Sequence, residues 1–166
     1  MIAINIKNNK SFMAKFLTND IFDNFYVEEA TIETYNTFHI DGHIHKDFFK
    51  NDSEPNDNTI GDYSKWSTLK PICFDLIKGK RTPLGFKFTF HPDDKTKSDI
   101  VSAADSHINP DDVLLGINIR FSSGSIQITT GTTFKTFSLD KTIEKAWDAF
   151  IPSFMSHSDI DFETNE

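Results

Sequence analysis

The sequence predicts an α+β protein built on a largely antiparallel sheet with about three helices. Three observations carry that expectation. Short runs with period-two alternation recur from end to end. Two long segments instead repeat their apolar residues every three or four positions, the spacing of a helix stripe. Helical and hairpin patterns are interspersed without the regular strand–helix–strand order of a parallel sheet. A chain of 166 residues has the usual size of one domain. The domain is expected over residues 1–155, with a mobile loop at 51–61 and an acidic, disordered tail at 156–166.

Ile2, Ile4 and Ile6 alternate with Ala3 and Asn5 and predict a first strand. Asn8 or Asn9 then caps a helix carrying Phe12, Met13, Phe16 and Leu17 on one stripe. Residues 31–40 alternate again, with Ile32, Phe38 and Ile40 on one face and Glu33, Tyr35 and His39 on the other. Asp41-Gly42 predicts a two-residue hairpin turn, because both turn positions need a positive φ, with a return strand over 43–49. Residues 51–61 lack periodicity and read as loop.

Leu69, Ile72, Cys73, Leu76 and Ile77 define a buried helix stripe, with Pro71 in the first turn and Gly79 as the C-terminal cap. The strand at 84–90 aligns Leu84, Phe86, Phe88 and Phe90. A short helix is expected at 99–106. Residues 115–121 and 125–130 form a hairpin around Ser122, Ser123 and Gly124, followed by a further strand at 132–137. Ile143, Ala146, Trp147, Phe150, Ile151 and Phe154 mark the last helix, which Pro152 should kink or end. The two halves share a helix-then-strands pattern, which admits a distant clamp-like duplication.

Composition sets bounds on function. With 17 phenylalanines the core should be aromatic-rich. Cys73 is the only cysteine, so neither an internal disulfide nor a Cys-based zinc site is expected, and a reducing, cytoplasmic compartment follows. The opening residues turn polar too early for a secretory leader, and no apolar run is long enough for a membrane span. Net charge is −8, and four of the acids lie in the tail: Asp159, Asp161, Glu163 and Glu166. A mildly acidic body disfavours a sequence-blind nucleic-acid binder, although it leaves room for one basic patch.

Several segments resemble those of an uncharacterised family of bacterial proteins found mainly in anaerobic Gram-positive species. They are Phe-His-Ile-Asp-Gly-His at 38–43, Lys-Pro-Ile-Cys-Phe at 70–74, residues 76–84, and 139–141 with 146–148. The run 77–84 is the most specific. The resemblance implies a shared fold and supplies no substrate, cofactor or catalytic residue.

Three groups of residues are candidate sites. His39, Asp41, His43 and His45 place three imidazoles and a carboxylate close in sequence, a set able to ligate zinc or another divalent metal. In a two-residue hairpin, however, His39 points away from the face shared by His43 and His45. Their ordinary role is then that of exposed hairpin residues. Lys78, Lys80 and Arg81 form the densest basic cluster, where a helix ends and a strand begins. Such a cluster can meet a phosphate or an acidic partner. Cations also favour a helix C-terminus, which accounts for Lys78 more readily than for Arg81. Trp66, near Tyr63, reads either as a hydrophobic staple or as a surface anchor, whereas Trp147 lies on its helix stripe.

Phosphate-loop, dinucleotide and nucleophile-elbow signatures are missing. Cys73 sits on an apolar helix face where a thiolate is disfavoured. The sequence therefore points to a non-catalytic cytoplasmic binding or scaffold protein with no cofactor and a protein partner, binding through Lys78, Lys80, Arg81 and Trp66. One alternative is a small metal-dependent enzyme using the 39–45 hairpin. The other is a clamp-like nucleic-acid accessory protein, which the acidic body disfavours.

Overall fold

The computed structural model describes residues 1–50 and 60–165. The expected loop at 51–61 falls outside the described residues apart from Ile60 and Gly61. Among the described residues, seven strands form one sheet: β1 (Ala3–Ile6), β2 (Tyr26–Glu33), β3 (Thr37–Asp41), β4 (Gly85–His91), β5 (Val113–Ser122), β6 (Ser125–Phe134) and β7 (Phe162–Asn165). Their order is β3-β2-β4-β5-β6-β1-β7, with every neighbouring pair antiparallel. Four α-helices of the described residues accompany them: α1 (Asn9–Thr18), α2 (Trp66–Ile77), α3 (Asp94–Ala103) and α4 (Thr142–His157). The α+β class is as expected. The single continuous sheet gives the duplication no support.

Period-two alternation divides the sheet into two faces. The row Ile4, Ile128, Ile119, Phe88 and Ala30 runs across five strands and is fully buried. The adjacent row Asn5, Gln127, Arg120, Lys87, Thr31 and His39 is polar and lies on the other face. All four helices contribute to one core with the apolar row: Phe12 and Phe16, Trp66 and Cys73, Ile100 and Val101, then Ile143, Trp147, Ile151 and Met155. Phe16 is its hub, with ring centroids 4.6 Å from Trp66, 5.1 Å from Phe88 and 5.3 Å from Phe22. Such offset and edge-on pairs add about 0.5–1.5 kcal/mol each beyond simple area burial.

Local signals explain most boundaries. Asn8 caps α1 by accepting from the Ser11 amide, and Asp93 caps α3 through Thr96. The β5–β6 turn holds Ser123 and Gly124 at φ 52° and 79°, the paired positive values of a type I′ hairpin. Gly79, at φ 132°, follows the end of α2.

Several expectations need correction. Residues 31–40 are two strands joined by a turn at Thr34–Asn36, not one. Asp41-Gly42 makes no hairpin, and no return strand occupies 43–49. The Gly42 amide instead donates to Glu28 O at 2.8 Å, beside a bulge at Val27 and Glu29. A Cβ on Gly42 would stand 1.7 Å from the Val27 carbonyl oxygen, so close backbone approach requires this glycine.

The α2 stripe is rotated relative to the expected one. It buries Trp66, Cys73 and Ile77 and leaves Ile72 exposed, because the helix starts at Trp66 and packs through that ring. Pro71 is therefore interior to α2, and its missing amide removes the helical hydrogen bond to the Ser67 carbonyl. Leu84 precedes β4 and is 76% exposed. The short helix lies at Asp94–Ala103, where Asp93 can cap it. The strand expected at 132–137 is the end of β6. Residues 156–165 of the tail are structured: α4 continues to His157, and β7 pairs with β1 through Phe162, whose apolar side chain packs against the core.

Candidate functional site

The chain from β3 into residue 44 stays extended, which reverses the expected relation of the histidines. His39, Asp41 and His43 share the polar face of the sheet. At about 3.3 Å per residue, His39 and His43 lie roughly 13 Å apart along the strand. His39 Nδ1 contacts Thr31 Oγ1 at 3.2 Å, whereas His43 Nδ1 contacts Asp41 Oδ1 at 2.7 Å. Among the described residues, no group of three or more His, Cys, Asp or Glu side chains is placed to hold one ion. The backbone and side-chain N–H groups of His43 hold the Asp41 carboxyl below its usual range.

Residues 60–65 run back beside the start of β2. Ser64 accepts from Val27 and donates to Gly42, and bridges join Tyr63 to His43 and Lys65 to Tyr26. This strap places Tyr63 between two imidazoles, with ring centroids 4.5 Å from His43 and 5.6 Å from His91. His91 is buried and fully engaged. Its Nδ1 lies 3.0 Å from the Leu115 carbonyl oxygen, which requires a proton on that nitrogen, and its Nε2 lies 2.8 Å from Glu28 Oε2. The β2 bulge brings Glu28 there, the re-aiming effect of an extra residue in a strand. Desolvation, followed by Glu28, Asp62 and Asp41, raises the Tyr63 hydroxyl above its usual value. His43 and His45 line a cleft of about 990 Å³ here, with Tyr26, Phe49 and Asp94. No local sequence pattern announced Glu28 or His91, because their pairing depends on the bulge.

The basic cluster lies at the other end of α2. Lys78 is engaged, 2.8 Å from Asp75 and 5.8 Å from the centre of the Phe74 ring. Lys80 and Arg81 are exposed and form no ion pair among the described residues. Together the three cations border a groove of about 460 Å³ whose other lining includes Tyr35, Leu76 and Leu84. Tyr35 is 82% exposed and belongs to the β2–β3 turn.

Beyond that turn, β3 is, among the described residues, a terminal strand of the sheet. The bonds Thr34 N–H to Asn36 O and Gly42 N–H to Glu28 O fix the pairing phase. Phe38 and Ile40 therefore bond to β2, while the amides and carbonyls of Thr37, His39 and Asp41 point outward. Trp66 does not belong to this surface. It is completely buried, and its Nε1–H donates to Phe16 O at 3.0 Å.

Among the described residues, fold and surface thus define a two-layer α+β protein whose last strand, β3, ends at a basic groove. The chain belongs to a family of unknown function, DUF5721, whose model matches residues 15–163. Comparison with curated proteins and with solved structures gave no match.

Proposed function

We propose that the chain is a non-catalytic, cytoplasmic binding protein that takes up an extended acidic segment of a partner protein as an eighth strand on β3. The observation carrying this reading is the outward row of backbone groups at Thr37, His39 and Asp41, which leads to Lys80 and Arg81. Strand addition draws affinity from backbone hydrogen bonds and specificity from the side chains beside the edge. An antiparallel segment would carry its C-terminal residues past Tyr35, where acidic side chains meet Lys80 and Arg81. Leu84 and Tyr35 supply the exposed apolar contact that partner sites commonly show. The cytoplasmic assignment rests on the lone, buried thiol.

The test compares affinity capture from native lysate by wild type, His39→Pro and Lys80→Glu/Arg81→Glu. Proline at 39 removes an outward N–H and spares the β2 ladder, so the fold tolerates it. Any captured protein is then purified and titrated directly. A partner that binds wild type and is lost by both variants supports strand addition. Binding unaffected by His39→Pro contradicts it, and loss on nuclease treatment points to nucleic acid.

The metal-enzyme alternative retains one supporting observation. Asp41 occupies His43 Nδ1 and leaves Nε2 available, as carboxylates do behind metal-bound imidazoles, and His45 lines the same cleft. Elemental analysis of untagged protein decides it. Near-stoichiometric zinc that His43→Ala/His45→Ala abolishes supports that reading, and absence of metal from the wild type refutes it.

A further inference from the structure

A second groove, of about 660 Å³, lies between α1, the end of α2 and the β5–β6 turn. Its floor is apolar and belongs to the rim of the core: Met13, Leu17, Ile77, Phe86, Phe121 and Ile126. Two cations stand at its edge, Lys10 from the first turn of α1 and Arg81 from the basic loop. Both are exposed, and neither pairs with a carboxylate among the described residues. A closed core edge would leave no trough, and a purely polar surface would not floor one with aromatic rings. Its volume falls within the roughly 300–1,000 Å³ of small-ligand sites.

We propose that this groove binds a single anionic amphiphile, an unbranched apolar chain ending in a carboxylate. The chain lies along Met13, Leu17 and Phe121, where it removes apolar surface from water. The head group accepts charge-assisted hydrogen bonds from Arg81, a planar fork matched to a carboxylate, with Lys10 as a second positive charge. This site goes beyond the strand-addition reading and stands without it, since Lys10 and Met13 belong to α1 and no residue of β3 lines the groove. Shared use of Arg81 implies that a bound head group competes with an acidic partner at that one residue.

The probe is dodecanoate below its micelle concentration, followed by the methyl resonance of Met13 in methionine-labelled protein. Wild type is expected to show saturable one-to-one binding with a shift of that methyl. Lys10→Glu and Arg81→Glu should each weaken binding at least about tenfold, the loss of one hydrogen bond to a charged group with like-charge repulsion added to it. Glutamate at position 10 suits the first turn of a helix, so α1 is preserved. Lys10→Gln, which removes the charge without adding repulsion, should give a smaller loss of the same sign. Dodecanol binding as tightly as dodecanoate overturns the head-group assignment. A Met13 response to acidic phospholipid vesicles but not to dodecanoate overturns the monomeric ligand, and no response to either overturns the site. His39→Pro leaves dodecanoate binding unchanged, so this inference and the strand-addition reading fail separately.

Discussion

Gly42→Ala tests the account of the β3 exit most severely. A Cβ at this position would meet Val27 O at 1.7 Å, Val27 C at 2.6 Å and Glu28 O at 3.1 Å. All three atoms are backbone, so no side chain can rotate aside. Opening the first distance to about 3.0 Å, the shortest that real Cβ atoms tolerate, requires moving β3 or the β2 bulge. Either movement strains the 2.8 Å bond from Gly42 N–H to Glu28 O and the 2.9 Å bond from Ser64 N–H to Gly42 O. Overpacking costs about 1–3 kcal/mol, and each weakened hydrogen bond adds about 1 kcal/mol. The expected loss is therefore roughly 3–5 kcal/mol. Gly61→Ala is the control, because among the described residues its Cβ would meet only Tyr63 O, at 3.9 Å. Urea unfolding of both variants measures the difference. A Gly42→Ala cost below about 1 kcal/mol would refute the close approach and restore the hairpin-turn explanation.

Three further outcomes follow from the core and the sheet. His91→Leu strands the Leu115 carbonyl and frees Glu28, so unfolding experiments should show a loss of about 2–3 kcal/mol. Adding Glu28→Gln should cost less than its effect alone, since both changes remove one shared contact. Burial pushes the Cys73 thiol from 9.0 up to about 12, so a thiol reagent at pH 8 should label it only after unfolding. Because the folded state holds that proton more tightly, the group's effect on stability is absent below pH 9 and becomes a loss above it as the unfolded chain ionises; Cys73→Ala should flatten that alkaline decline. Truncation after Asp161 removes β7, and amide exchange at Ala3 and Asn5 should accelerate while β4 and β5 stay protected.

Legibility in the sequence followed the range of the interactions. Phe86, Phe88 and Phe90 announced a strand because alternation is local, and Ser123-Gly124 announced a turn because its φ values are. The Asn8 cap and the apolar spacing of α1 and α4 were legible for the same reason. Asp41-Gly42 misled because two unrelated demands select glycine, positive φ and absence of a Cβ. Only contact with Val27, fifteen residues upstream, distinguishes them. The acidic tail misled in another way. Asp161 and Glu163 read as solvated charge, yet they alternate with Ile160 and Phe162, whose burial decides the outcome. The basic loop could be read directly as three cations, whereas its groove and the neighbouring open edge depend on which strand β2 pairs with. Trp66 was undecided because a staple and a surface anchor look alike until Phe16 stacks on the ring.

Residue-resolved amide hydrogen exchange on the unliganded protein tests the central claim most directly, that β3 presents an unpaired edge. The pairing phase predicts alternation along five residues. The amides of Phe38 and Ile40 should be protected by β2, while those of Thr37, His39 and Asp41 should exchange near the rate of exposed backbone. Equal protection at all five positions would mean the edge is already covered, and strand addition there would be contradicted.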